Sequence, residues 1–378
     1  MKPKPAASPV PRAWQRRSSP LARVACLAYV GLVIDASLYP FSGWRERGIG
    51  PFDYLWSPWP SRALEFDMAV NVLGYLPLGA LAVLALYPRV RGTAAAALAL
   101  VGCASLSAVL EALQTYLPTR VASKVDLTTN VAGALAGALA GGLLARPILD
   151  RGRLRELRLQ WFDRDASWGL VIVALWFGAI LYPQPFAFAC GAVAKTVGIA
   201  IREPAWLGFL LEPSARGFAI EEALVSGCFL AGAGMLFLSL SRRFAPRIPL
   251  IFGFVAASGL AKTLSTGWTY SPGAPFAWVT RGAFESAIAA ALILLLGMHL
   301  PARWRRASAQ ILLLVGLVLV NALPENPYFE EATLDWASGR LLNFYGLALG
   351  VSLAWPFLAL AYLFRAREAP GERFAGSV

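Results

Sequence analysis

Ten apolar stretches, most close to twenty residues long and nearly free of charge, run through this chain and leave it one kind of fold. About 20 apolar residues wound as an α-helix match the ~30 Å hydrocarbon core of a bilayer. The stretches are 21–40, 67–87, 93–117, 126–145, 167–182, 218–240, 248–265, 276–299, 308–323 and 341–364. With 57% hydrophobic and 15% charged residues, the chain reads as an all-α, polytopic membrane protein of about ten transmembrane helices. Pro77, in the middle of the second stretch, predicts a kink there.

Net charge is +12, which in a soluble protein would point to nucleic acid. Here the arginines sit in short links between spans, as the positive-inside rule requires, and no nucleic-acid partner is expected. Lys2, Lys4, Arg12, Arg16, Arg17 and Arg23 place the N-terminus in the cytoplasm. The link 146–165 carries six arginines and returns to that side, as do Arg242, Arg243 and Arg247, then Arg303, Arg305 and Arg306, and finally Arg365 and Arg367. Trp44, Trp56 and Trp59, in the first outer loop, suit a headgroup layer. Glu325, Glu330, Glu331 and Asp335 fall outside. Residues 183–217 are apolar but interrupted by Lys195, Arg202 and Glu203, and read as interfacial or re-entrant structure on the outer side. The reading puts both termini in the cytoplasm of a cell (inner) membrane protein.

Cys26, Cys103, Cys190 and Cys228 have no CxxC or CxxH spacing, so they read as small core residues rather than disulfide partners. One histidine, His299, and no cysteine cluster make a metal site improbable. No cofactor is expected. No small-residue cleavage site follows the first apolar run, so that run reads as a retained span.

The domain plan is a Pro- and Arg-rich, disordered tail (1–20), a four-helix membrane domain (21–145), a basic cytoplasmic loop (146–166), a second four-helix unit (167–299), two further transmembrane helices (300–364) and a cytoplasmic tail (365–378). Leu38-Tyr39-Pro40 ends the first span as Leu181-Tyr182-Pro183 ends the fifth, and Leu323-Pro324 ends the ninth. Asp67 opens the second span as Glu221 and Glu222 open the sixth. Glu111 corresponds in place to Lys262, and Asn130 to Arg281. These matches suggest a 4+4+2 plan with a parallel, diverged repeat.

Polar residues inside apolar helices are costly, at about 3 kcal/mol for a charge at mid-membrane. They concentrate between 107 and 141. Asp67 and Asn71 begin the second span one turn apart, Glu111 and Gln114 end the third, Arg120 and Lys124 lie in the turn, and Asp126 and Asn130 begin the fourth, again one turn apart. Asp35 lies near the end of the first. Gly133, Gly137 and Gly141 form a strip that lets the fourth helix approach a neighbour closely. Taken singly, Asp67 and Asp126 could be helix caps, and Arg120 could serve only to neutralise a carboxylate. Together the eight polar residues read as a substrate-binding pocket in the outer leaflet.

The order Glu111-xx-Gln114, Arg120, Asp126-xx-Thr129-Asn130, then Gly133 and Gly137, resembles the VanZ-like family, named for a teicoplanin-resistance determinant. The segment 71–79, NVLGYLPLG, is similar to that family's N-x-hydrophobic-PLG segment. The resemblance covers roughly 30–145. Many relatives carry a His near the start of the second span, where Asp67-Met68-Ala69-Val70 has none. The resemblance implies a membrane protein of the cell envelope, in a family some of whose members lower sensitivity to lipoglycopeptide or peptide antibiotics.

Three functions compete. In the first, the pocket binds an anionic envelope lipid or a glycopeptide-type antibiotic target, with Arg120 and Lys124 on the anion. In the second, the protein is an enzyme acting on a lipid-linked envelope precursor, with Glu111 or Asp126 as base, although no nucleophile with a partner base is evident. In the third it is a secondary transporter, which repeats and a Pro-bearing span favour and charges at one face oppose.

Overall fold

The computed structural model describes residues 19–59, 65–149, 153–184, 186–198, 215–270, 273–323 and 342–365. Twelve helices are named here: α1 (Pro20–Leu38), α2 (Glu65–Leu86), α3 (Gly92–Gln114), α4 (Lys124–Leu149), α5 (Arg153–Trp161), α6 (Ser167–Ala179), α7 (Val193–Thr196), α8 (Ala215–Ser239), α9 (Arg247–Ser265), α10 (Arg281–Gly297), α11 (Ala302–Ala322) and α12 (Leu342–Arg365). The fold is all-helical among the described residues, and each of the ten apolar stretches overlaps one of these helices. Eight are long and apolar enough to cross a membrane. The other two, α6 with 13 residues and α10 with 17, rise only about 20 and 25 Å. The tails 1–18 and 366–378, the acidic loop 324–341 and the charged pair Arg202 and Glu203 lie outside the described residues.

The chain divides into two packed units. One takes in Met1–Leu27, Gly48–Thr115 and Val121–Glu156, and the other Ala28–Arg47, Tyr116–Arg120 and Leu157–Val378.

In the first unit the dominant contact is between α2 and α4. A Cβ on Gly133 would fall on the Val72 carbonyl, one on Gly137 on the Leu76 carbonyl, and one on Gly141 on Ala80. The contacts advance by four residues on both helices, so α2 and α4 run parallel with their backbones touching. In return, a Cβ on Gly79 would meet the Ala134 carbonyl, and Ala134 and Ala138 are fully buried. Small residues supply the attraction here, because among lipid tails close packing rather than the hydrophobic effect holds helices together. α3 buries a row spaced by four (Ala95, Ala99, Cys103, Ser107 and Glu111). α2 runs through Pro77 as one helix.

In the second unit α8 is the centre. Val225, Leu230, Ala231, Ala233 and Met235 are spread around its circumference and are buried, as expected of a helix apolar all round. α6, α10 and α11 pack around it. Trp176 of α6 lies 4.7 Å from Trp355 of α12, ring centre to ring centre, and both indole N–H groups are used, Trp176 on Ser258 and Trp355 on the Ile172 carbonyl. α12 offers Gly346 and Gly350, one turn apart, to Tyr39, just beyond α1, and to Asp35 of α1.

Beyond α6 the backbone is irregular yet deeply buried, with Phe186, Ala189 and Cys190 fully enclosed. Asn321 of α11 holds it, accepting from the Ala194 N–H and donating to the Gly191 carbonyl, and the Gly191 N–H reaches Ser352. Non-helical backbone within a membrane protein survives only where protein satisfies it. In the described residues between α6 and 198 only the one-turn α7 is helical.

Candidate functional site

Two polar layers, each with one residue from α2, α3 and α4, cross the first unit. The upper layer holds Asn71, Glu111 and Asp126. The Asn71 side-chain N–H donates to Asp126 Oδ1 at 2.9 Å. Glu111, only 4% exposed, accepts the Ser123 backbone N–H at 2.9 Å. One turn deeper lie Tyr75, Ser107 and Asn130, where Asn130 Nδ2 donates to Ser107 Oγ at 3.0 Å and Tyr75 hydrogen-bonds the same serine. The i, i+4 spacing on all three helices makes the stacking: 71 and 75, 107 and 111, 126 and 130. Asn130 Oδ1 is buried without a hydrogen-bond partner.

Local sequence explains why Asp126 is available. Ser123, not Asp126, caps α4, since its Oγ accepts the Val125 N–H in the usual N-cap pattern. Thr129 turns its hydroxyl back to the Val125 carbonyl, and the Asp126 carboxylate faces Asn71.

At the rim, Lys124 sets its ammonium 4.8 Å from the ring centre of Trp59, an exposed indole. Trp44 and Trp56 are exposed too, as expected of headgroup residues. Tyr54 is buried beside the site, donating to the Ala108 carbonyl, and burial, then the Glu111 charge, raise its pKa. Asp67 is exposed and Gln114 half-exposed.

Arg120 packs with the second unit. Its guanidinium donates to the Tyr39 carbonyl at 2.9 Å and to the Ala36 carbonyl at 3.2 Å. The structure therefore gathers Asn71, Glu111, Asp126 and Asn130, sets Lys124 on the rim of the same unit, and gives Arg120 a role at the end of α1.

Sequence reasoning missed Tyr75, Ser107 and Ser123. A signal was present for two of them: Tyr75 follows Asn71 by four residues, and Ser107 precedes Glu111 by four.

The helices and their polar layers define a multi-pass helical membrane protein. Within it, residues 10–145, about a third of the chain, match the family model VanZ/LLP1, so this part is VanZ-like. The match spans α1 to α4 and holds every residue of both layers. No curated protein and no solved structure matches the chain.

Proposed function

We propose that the VanZ-like part is a cell-envelope module of the cytoplasmic membrane, with both chain termini in the cytoplasm. In this reading the two polar layers bind the headgroup of an anionic envelope lipid, or of the lipid-linked precursor that glycopeptide-type antibiotics target. The observation that carries this reading is the Asn130 carbonyl oxygen, buried without a hydrogen-bond partner beneath the Asn71–Asp126 pair. An unsatisfied buried acceptor costs ~1–3 kcal/mol, and a hydroxyl or N–H of a headgroup would remove that cost. Lys124 on Trp59 supplies the cation for the phosphate, at a rim of exposed tryptophans where headgroups lie.

The test is thermal stabilisation of the purified protein in nanodiscs of phosphatidylcholine, with phosphatidylglycerol or a lipid-linked peptidoglycan precursor added. Stabilisation in the parent that Lys124→Ala and Asn130→Leu each reduce about tenfold in apparent affinity supports the reading. Equal melting temperatures in all lipids would sink it. A parallel measurement scores glycopeptide susceptibility in a strain lacking its own copy.

A further inference from the structure

The polar positions of the first unit recur in the second at one constant spacing. Asn71, Tyr75, Ser107, Glu111 and Thr115 are each followed, 151 residues later, by Glu222, Ser226, Ser258, Lys262 and Thr266. All ten are polar. All five of the later set are buried, none more than 4% exposed.

Their bonding matches as well. Thr115 Oγ1 donates back to the Glu111 carbonyl, and Thr266 Oγ1 to the Lys262 carbonyl. Asn71, near the start of α2, bonds Asp126 at the start of α4, while Glu222, near the start of α8, bonds the hydroxyl of Thr280, the N-cap of α10. Gly133 sets α4 on the backbone of α2, and Gly282 sets α10 on the Ala219 carbonyl of α8. Arg120, outside the five positions, donates to the carbonyls of Ala36 and Tyr39 at the end of α1, and Lys262, the counterpart of Glu111, to those of Ile180 and Tyr182 just beyond α6, so this contact recurs from a different position. Tyr39 and Tyr182 are the tyrosines of the two Leu-Tyr-Pro words. The expected match of Asn130 with Arg281 is not repeated in bonding, since Arg281 is an exposed partner of Glu285.

One difference separates the two sets. In the second, the chain's own residues 180–182 and 186–188 meet the polar groups. Ile180 and Tyr182 carbonyls take the Lys262 ammonium, the Ala187 N–H reaches Glu222, and the Phe188 N–H reaches Ser226. Trp176 N–H takes Ser258. In the first set Tyr75, Ser107, Glu111 and Thr115 are buried too, but Asn71 keeps part of its surface exposed, as does its partner Asp126.

We propose that residues 167–299 are a second, diverged copy of the four-helix unit of α1 to α4, and that its polar site is plugged by residues 180–182 and 186–188, which leaves headgroup recognition to the first copy. The second clause rests on the proposed function; the first does not.

The experiment uses the full chain in nanodiscs with and without phosphatidylglycerol, and reads melting temperature and lipid-dependent stabilisation separately. Lys262→Met removes the cation from two buried carbonyls and is expected to lower the melting temperature by about 5 °C or more while leaving the phosphatidylglycerol response intact. Lys262→Arg should regain most of the loss. Glu111→Gln should melt within about 2 °C of the parent and respond at least tenfold more weakly to the lipid. A parent-like melting temperature for Lys262→Met overturns the plug. A parental melting temperature with the lipid response lost would make the second copy a ligand site, which also overturns it. Absence of any lipid response in the parent defeats the proposed function alone, and the melting temperatures still decide on the plug.

Where Lys262→Met yields no folded protein, Glu222→Gln takes its place, in a chain whose only cysteine is Cys190. That thiol is fully buried just beyond the plug. N-ethylmaleimide should modify it at least tenfold faster in the variant than in the Glu222 parent. Equal rates would count against the plug.

Discussion

At the scale of single residues, a cation placed against the last carbonyls of a helix does two jobs. It supplies donors to oxygens that have no intrahelical partner, and it sits at the negative end of the helix dipole. Arg120 does this for α1, where Pro40 has no N–H to offer, and Lys262 does it at the end of α6. Arg120→Met should therefore cost about 2 kcal/mol, the worth of hydrogen bonds from a charged group. Arg120→Lys should keep more than half of that, because Lys262 already performs the task with a single ammonium. Thermal melts of the three proteins decide it, and a lysine variant as weak as the methionine one would show that the planar fork matters. Glu111→Gln behaves differently, since a glutamine oxygen still accepts the Ser123 N–H, and stability should change by less than about 1 kcal/mol. Much of this was legible at the level of residue type: a buried glutamate, an arginine in a turn and paired side chains one turn apart are visible in the chain. The partner of Arg120 was not, because it lies some eighty residues earlier in sequence, and no local pattern encodes which helix end a turn will meet.

At the scale of helices, the glycine strip of α4 makes a discriminating prediction. Gly137→Leu drives a side chain into the Leu76 carbonyl and must push two backbones apart, which costs about 1–3 kcal/mol or more in a packed interface. Gly142→Leu, five residues on, meets nothing within 4 Å and lies beside the exposed Leu143 and Leu144. The first variant should express poorly or melt early, and the second should match the parent. Equal melting temperatures would mean that the α2–α4 contact does not form in the membrane. The strip could be read from sequence because small residues spaced by four have few other uses in an apolar helix. The neighbour could not, since every apolar helix offers a similar surface. The short α6 was hidden for a related reason: its apolar run continues through Ile180 and Phe186 into irregular, buried backbone, and hydropathy does not distinguish a helix from chain that is enclosed by protein. The serines and threonines of the two recurring sets are ordinary in apolar helices, so their constant spacing gains meaning only from the shared bonding.

At the scale of the whole molecule, three arginine-bearing links of the second unit are tied together. Arg242 bonds the Leu159 carbonyl and approaches Asp163, and its backbone N–H reaches Trp161. Arg247 donates to the Met298 carbonyl. The end of α5, the α8–α9 link and the α10–α11 link therefore share one side of that unit, and three separate charge clusters reduce to one topological choice. Positive charge near span ends sets orientation, so all three should face the cytoplasm. In a chain with Cys26, Cys103, Cys190 and Cys228 replaced by alanine, Gln160→Cys, an exposed position on α5, should resist an impermeant maleimide in intact cells and react after permeabilisation. Arg303→Cys should behave the same way, and Trp56→Cys, 86% exposed in the loop after α1, should react in intact cells. Labelling of both Gln160→Cys and Arg303→Cys from outside would invert the topology of this unit. A split between those two positions would go further, because no orientation of a unit whose links are bonded together can expose one of them and hide the other.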